Sequence, residues 1–168
     1  MVPPTLTDLL DACRTRAWHL ELRDCYGTSS PGYQAWMAGQ PFDRTDFDAP
    51  WVDLIRATVA RGVVVRRARV ISEPVSDYIR YEHHATPYAN LAGGEAVRWL
   101  PRHQAGDLAL TGADFWLIDD HVLFVHQDGN GEQTGTELRT EPHVIELAER
   151  AFHAVWERGI DHQHYQPA

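Results

Sequence analysis

The sequence predicts an α/β (α+β) fold in which helices flank a single mixed sheet. Helix-like and strand-like patterns alternate along the first part of the chain, a run of three short strand patterns follows, and an amphipathic helix comes last. The chain has 168 residues, of which 43% are apolar, so it is long enough to bury a core without disulfides or a structural metal. We expect residues 1–168 to form a single domain.

The N-terminal part of the chain shows both kinds of periodicity. Apolar residues recur every three or four positions over 6–13, which is typical of one helix face. The segment AWHLELRD alternates apolar and polar residues, as expected of a half-buried strand. Asp48 before Pro50 indicates the start of another helix, which Gly62 ends. The elements predicted here are a helix over 5–16, a strand over 17–24, a short helix over 33–39 and a helix over 48–62.

The remainder of the chain supplies most of the predicted sheet. The β-branched run VVVRRARVIS predicts a strand in which arginines are interleaved with apolar residues. Ser76 can cap the following helix, Pro87 can begin a second helical turn, and Trp156 of the last helix is expected to be largely buried. The elements predicted here are strands over 63–71, 97–101, 114–119, 121–127 and 136–140, and helices over 77–85 and 142–158.

Composition excludes several classes of function. The net charge of -9 argues against direct contact with nucleic acid, because that affinity depends mainly on clustered basic residues. No apolar run approaches the roughly 18 residues that span a membrane, and the N-terminus lacks the pattern of a signal peptide, so we expect a cytoplasmic protein without membrane contact. All basic residues besides histidine are arginine, which excludes Schiff-base chemistry and a P-loop lysine.

Metal and nucleophile patterns are weak. His83 and His84 are adjacent and would point about 100° apart on a helix, which does not suit a shared ion. Only His162 and His164 have a plausible spacing, and they lie in a polar tail. The chain contains no G-x-S-x-G elbow, and Ser76 is better explained as a helix cap. We therefore expect no metal site, no cofactor and no assigned catalytic residue.

The stretch 71–102 combines arginines, carboxylates and aromatic rings next to the end of a predicted strand, where open α/β sheets place ligand clefts. We predict a pocket in which arginines hold an anionic or planar group, rings stack on it and a carboxylate sets specificity. The alternative is that Arg80 and Glu82 are solvated or paired and that the rings belong to the core. The assigned residues are Arg69 and Arg80 for the bound group, Tyr78 and Trp116 for stacking, and Glu82 or Glu95 for specificity.

Several segments together resemble one family, the domain of unknown function numbered 6879, which consists of uncharacterised actinobacterial proteins. The resemblance covers residues 5–165. It implies a small cytosolic protein that is often encoded near helix-turn-helix transcriptional regulators. The segments that carry the resemblance are LELRDCY, RGVVVRRARVISEPVSDYIRYE, GGEAVRWLPR, DFWLIDDHVLF and AFHAVWERGIDH.

The order of RGVVVR, VRWLP, LIDDHVLF and the last helix is also similar to a phospholipase D-like half-domain. The catalytic version of that fold carries His-x-Lys-x4-Asp on the strand that enters the hairpin. When its aspartate is aligned with Asp119, Gly112 stands in place of the histidine nucleophile and Asp114 in place of the lysine. The resemblance therefore implies a phospholipase D-like half-domain without the catalytic motif, in which the cleft remains and phosphodiesterase chemistry does not.

These features favour a non-catalytic ligand- or partner-binding module that acts with a helix-turn-helix regulator. The expected ligand is a small anionic or aromatic molecule, and a homodimer is compatible with the sequence. The alternative is a small-molecule enzyme that uses Glu82, Glu95 or His84 as general acid or base; a scaffold is the third hypothesis. An enzyme should place a buried carboxylate or histidine with a shifted pKa at an open cavity, whereas a sensor should show a pocket lined only by arginines and rings.

Overall fold

The computed structural model describes residues 4–168, which form a seven-stranded mixed sheet with helices on both faces. This arrangement confirms the α+β class and the single mixed sheet. The strands are β1 (Arg16–Glu21), β2 (Val64–Ile71), β3 (Ala96–Pro101), β4 (Asp114–Ile118), β5 (His121–Gln127), β6 (Gln133–Arg139) and β7 (Ile160–Asp161). The helices are α1 (Leu6–Ala12), α2 (Pro31–Met37), α3 (Arg44–Ala60), α4 (Asp77–Ala89) and α5 (Pro142–Arg158).

The strand order is β6-β5-β4-β1-β2-β3-β7, with the parallel strands β1, β2 and β3 side by side. The antiparallel strands β4, β5 and β6 extend one edge, and β7 pairs antiparallel with β3 at the other. Asp119 turns the chain between β4 and β5 with a positive φ of 50°. Its carboxylate accepts hydrogen bonds from the backbone N–H groups of Arg14, Thr15 and Arg16, so it fixes the start of β1 against this turn.

One face of the sheet packs on α5 and is apolar. The fully buried Leu20, Leu117 and Phe152 lie at its centre. Trp18 stacks on Phe152 with a centroid distance of 5.0 Å. Helices α1, α3 and α4 cover the opposite face, where separate apolar clusters leave room for buried polar side chains between them. His19 and Glu21 of β1 and Arg67 and Arg69 of β2 therefore lie inside the protein.

The structure corrects four details of the sequence prediction. β1 was expected to be half-buried, but helices cover both sheet faces, so Ala17 through Glu21 are all buried. α3 begins earlier, at the cap Asp43, and contains Pro50 in its interior. Strand β7 was not predicted because its two residues carry no periodic pattern. Trp156 is only half-buried, since it packs on Phe152 at the edge of the core.

The segment after α5 packs back onto the sheet beside α4. Tyr165 stacks on Trp99 with a centroid distance of 5.6 Å, and its hydroxyl donates to Glu73. His162 turns inward, where its Nδ1 accepts a hydrogen bond from Trp99 Nε1–H at 3.1 Å, while His164 is exposed. Thus the spacing of the two histidines does not place them on one surface. None of the helices within residues 4–168 is long and apolar enough to cross a membrane.

Candidate functional site

Charged side chains fill the space between the central strands and α4. The strand register places Arg69 between Glu21 of β1 and Trp99 of β3, and Arg67 next to His19. Because side chains two residues apart on a strand share a face, both arginines point toward the helices. Each of them is at least nine-tenths buried. Three carboxylates join them: one from β1, one from α4 and one from the residue that precedes β3. This charge cluster consists of Glu21, Arg67, Arg69, Glu82 and Glu95.

The two guanidinium groups of the charge cluster are held by internal acceptors. Arg67 Nε donates to Glu95 at 2.6 Å, and its terminal nitrogen donates to Glu21. Arg69 Nε donates to the other oxygen of Glu21 at 2.6 Å, and Arg69 NH1 donates to the Thr86 hydroxyl at 2.8 Å. Since each arginine is joined to more than one partner, both side chains are fixed in position.

Glu82 is the least satisfied member of the charge cluster. Ser76 caps the N-terminus of α4, and Glu82 then lies on the helix face that meets β2. Its Oε1 lies 3.6 Å from Arg69 NH2, which is too long for a good hydrogen bond. Its Oε2 is buried and has no hydrogen-bond partner among the described residues. The carboxyl group therefore keeps an unused acceptor.

The balance of charge explains how these carboxyl groups titrate. Burial opposes ionisation of Glu21, but Arg69 and Arg67 outweigh it and hold the pKa of Glu21 well below its usual range. Burial raises the pKa of Glu82 to about 7, since the attraction of Arg69 is too small to offset it and Glu21 adds repulsion. Glu82 has no guanidinium nitrogen at hydrogen-bond distance, so its carboxyl group binds its proton near neutral pH.

A cavity of about 240 Å³, the inner cavity, lies beside Glu82. Tyr78 and Trp51 supply aromatic walls to it, and Asn90 supplies a polar one. Burial, followed by the charges of Glu82 and Glu21, raises the pKa of Tyr78, so its phenol is neutral. The lining residues are Ser30, Arg44, Trp51, Arg67, Arg69, Tyr78, Tyr81, Glu82, Ala85, Ala89 and Asn90.

Four of the six predicted site residues meet in this region. Arg69, Tyr78 and Glu82 line the inner cavity, and Glu95 is joined to it through Arg67. Whether they bind a ligand stays a prediction. Arg80 does not join them: it is exposed, because residues two positions apart on a helix point about 200° apart, and Tyr78 and Glu82 face inward.

Trp116 lies on the same face of the sheet but outside the inner cavity. It stacks on His19 with a centroid distance of 4.3 Å, and the Arg67 guanidinium lies 5.4 Å from its ring. It lines a different cavity, of about 530 Å³, together with Asp114 and Glu21. The predicted shared pocket of Arg69, Arg80 and Trp116 is therefore not formed, and Trp99 takes the place next to Arg69, at 4.7 Å.

The sequence reasoning missed several residues of the site, above all Glu21 and Arg67. Arg67 and Arg69 stand two apart in a strand, which indicates a shared face. If that face is buried, it needs carboxylates, and Glu21 in the preceding strand pattern is the nearest. The pattern was read instead as a solvent-facing alternation, and the contribution of Arg44 from α3 had no signal in the sequence.

The fold and the site define an α+β domain with a buried charge cluster beside a small polar cavity. The chain belongs to the family described as Domain of unknown function (DUF6879), which it matches over residues 4–167. This match confirms the first resemblance found in the sequence. The resemblance to phospholipase D-like half-domains stays a prediction. No curated protein matches the chain.

Solved structures give a fold-level similarity. One is described as the structure of TrmBL2, an archaeal chromatin protein that shows a novel mode of DNA binding. The sequence identity is 14% and the TM-score is 0.48. The match covers 91% of this chain and 47% of the TrmBL2 chain, so this chain spans about half the length of that protein. At this identity and score the likeness carries no information about function.

Proposed function

We propose that the domain is a non-catalytic ligand-binding module and that its ligand occupies the inner cavity with a hydrogen-bond donor, preferably a positively charged one, directed at Glu82. The observation that carries this proposal is the buried Glu82 Oε2, which has no hydrogen-bond partner among the described residues. A buried acceptor without a donor costs about 1–3 kcal/mol, and a ligand that supplies the donor recovers that energy. The aromatic walls given by Tyr78 and Trp51 suit a planar or cationic group.

The charge balance favours a cation over the anionic ligand expected from the sequence. The guanidinium groups of Arg67 and Arg69 already bind Glu21, Glu95 and Thr86, so an anion would have to displace internal partners. A monovalent cation would instead compensate the third carboxylate of the charge cluster. The ligand is still expected to carry an aromatic group, as the sequence predicts.

A second candidate function is catalysis, with Glu82 as general acid or base. It is favoured by the raised pKa of Glu82, about 7, at the wall of a cavity. This is the arrangement that the sequence reasoning reserved for an enzyme. We place it second because the guanidinium groups that could stabilise charge developing in a reaction are already engaged by internal carboxylates.

We further propose that ligand binding is transmitted to a helix-turn-helix regulator. The family resemblance alone supports this part of the proposal, and no contact within residues 4–168 is used as an argument for it. Affinity purification of the tagged protein from its own host, with and without added ligand, tests it. Recovery of such a regulator supports the proposal, and its repeated absence from otherwise specific complexes contradicts it.

Binding is tested with three probes of similar shape and different charge: benzylamine, benzyl alcohol and benzoate. Protein-observed NMR titration at pH 8 should show benzylamine binding most tightly, with shifts concentrated around Tyr78 and Asn90. Glu82→Gln should weaken benzylamine binding about tenfold to hundredfold, as expected for a lost charge-assisted hydrogen bond of about 1.5–3 kcal/mol.

The matched control is Glu157→Gln, which neutralises an exposed carboxylate on α5, remote from the inner cavity. It should leave all three titrations unchanged. Equal binding of the amine by the protein and by Glu82→Gln, or tighter binding of benzoate, would contradict the proposal. Turnover of a bound compound that Glu82→Gln abolishes while binding persists would establish the catalytic candidate instead.

A further inference from the structure

A second, mainly apolar pocket adjoins the inner cavity. This outer pocket has a volume of about 410 Å³ and lies between α2, the start of α3 and α4. Trp36 and His84 face each other there with a ring-centroid distance of 4.8 Å. Its lining residues are Gly32, Trp36, Gly39, Gln40, Pro41, Phe42, Arg44, Tyr81 and His84. Its size and lining suit an aromatic ring.

The outer pocket and the inner cavity share two wall residues, Arg44 and Tyr81. Arg44 NH1 donates to the Tyr81 hydroxyl at 3.0 Å, and Arg44 Nε lies 2.8 Å from an oxygen of Asp48. Gly32 permits this contact, because a Cβ at that position would lie 2.5 Å from the Tyr81 oxygen. The hydrogen-bonded pair Arg44 and Tyr81 thus borders both spaces.

The two spaces offer complementary chemistry. Aromatic and apolar side chains dominate the outer pocket, whereas the inner cavity is lined by charged and polar side chains that include Glu82. Arg44 meets Asp48 through both Nε and NH2, so this ion pair does not depend on the hydrogen bond to Tyr81. Loss of the Arg44–Tyr81 hydrogen bond would therefore join the spaces while the charge of Arg44 remains compensated.

We infer that the outer pocket and the inner cavity form one composite site for an elongated ligand, in which an aromatic group is joined by a short chain to a basic nitrogen. The ring occupies the outer pocket against the Trp36–His84 ring pair, and the nitrogen reaches Glu82 past Arg44 and Tyr81. This inference rests on the proposed function, because the nitrogen end binds at the inner cavity. It adds a second binding region for the aromatic group, and it identifies the Arg44–Tyr81 hydrogen bond as the contact that must open.

The test uses a series of probes that differ only in chain length: benzylamine, 2-phenylethylamine, 3-phenylpropylamine and 4-phenylbutylamine. Affinities are measured by isothermal titration calorimetry or NMR titration on the full chain. We expect a longer member to bind about tenfold more tightly than benzylamine, because its ring buries additional apolar area. NMR shifts for that member should include Trp36 and His84, whereas those for benzylamine should stay near Glu82.

Trp36→Ala and His84→Ala should remove the gain from chain length and leave benzylamine binding unchanged. Trp36 is half-buried, so His84→Ala, at an exposed position, provides the test should Trp36→Ala fold poorly. Met37→Ala is the matched control, because Met37 neighbours Trp36 in sequence but is 51% exposed and does not line the outer pocket. It should retain the full gain.

The outcomes separate the two proposals. If benzylamine binding depends on Glu82 but chain length and the outer-pocket variants have no effect, the composite site is wrong and the proposed function stands. If the longest amine depends on Trp36 and His84 but not on Glu82, the outer pocket is an independent site and the composite site is again wrong. If no amine binding depends on Glu82, Trp36 or His84, both the composite site and the proposed function are wrong.

Discussion

At the scale of single residues, position on an element decides what an arginine does in this protein. The sequence predicts that both Arg69 and Arg80 hold a ligand, but the strand directs Arg69 into the charge cluster and the helix directs Arg80 into solvent. Removal of the buried Arg69 guanidinium would leave Arg67 as the one arginine of the charge cluster bonded to Glu21. An exposed guanidinium can be removed at almost no cost.

The first prediction compares these two arginines. Arg69→Ala should lower the free energy of unfolding by about 3–5 kcal/mol, as expected when one partner of a buried ion pair is deleted. Arg80→Ala should change it by less than about 0.5 kcal/mol. Urea denaturation at pH 7, followed by circular dichroism, measures both. A loss of similar size in the two variants would contradict the placement of Arg80 outside the charge cluster.

The second prediction concerns pH. The pKa of Glu82 is raised to about 7 in the folded protein, so the folded state binds this proton more tightly than the unfolded state does. Its contribution to stability is therefore complete below the unfolded pKa of about 4.5 and is lost as pH rises through about 7. Burial lowers the pKa of His162 to about 4, which produces the opposite trend at acidic pH.

The comparison with Glu82→Gln isolates the contribution of Glu82 from that of the histidines. The stability of the wild-type protein relative to Glu82→Gln should fall between about pH 4.5 and pH 7, by at most about 3 kcal/mol. Denaturant titrations at half-unit steps of pH give this difference. A difference that is independent of pH would show that Glu82 titrates normally.

At the scale of elements, a short segment that follows α5 forms one edge of the sheet. β7 contains two residues, yet the chain beyond it places Tyr165 on Trp99 and brings Val75 N–H to the carbonyl of Ala168. Tyr165 is 2% exposed. This segment is thus part of the core beside α4, and the packing of α4 in turn positions Glu82.

The third prediction follows from that packing. Tyr165→Ala should reduce the free energy of unfolding by about 3 kcal/mol, because it removes a buried ring and leaves a cavity. Tyr88→Ala is the control, because Tyr88 is 56% exposed on α4, and it should cost less than about 0.5 kcal/mol. Thermal and chemical denaturation measure both variants. Equal stability of the two would mean that the terminal segment does not pack as described.

Sequence patterns were sufficient to predict the long helices and strands, but they did not show that helices cover both faces of the sheet. The β-branched composition of the valine-rich run indicated β2, and the helical period of the amphipathic last helix indicated α5. The same reasoning assigned Glu21 to the outside, since alternation shows that a strand has two faces but not whether helices cover both. The charge cluster therefore depended on tertiary contacts between β1, β2 and α4, which local pattern does not contain.

At the scale of the whole molecule, most of the arginine charge is used internally. Arg16 pairs with Glu149, Arg139 with Glu141 and Arg158 with Asp107, while the arginines of the charge cluster are buried. Together with the net charge of -9, this pairing leaves little free positive surface. The expectation that the domain makes no direct contact with nucleic acid stays a prediction.

The fourth prediction tests it. Fluorescence anisotropy with a labelled 20-base-pair DNA duplex in 50 mM salt should give no saturable binding at micromolar protein, because phosphate contacts need clustered basic residues. A basic helix-turn-helix protein serves as the positive control. Saturable binding that weakens steeply with salt would contradict the expectation and identify a basic surface.

The charge cluster also discriminates between alternative strand pairings. Glu21 faces Arg69 in the observed register of β1 and β2, and a slip by one residue would turn Glu21 toward the apolar face beneath α5. Such a slip would bury a carboxylate without a partner, at a cost of several kcal/mol. Replacing all five charged residues of the charge cluster by apolar ones of similar size should preserve stability, as is often found for buried ion pairs. The same replacement removes the energetic penalty on the slipped register. We expect the amide NMR spectrum of that variant to show additional, weaker sets of resonances from misregistered sheets.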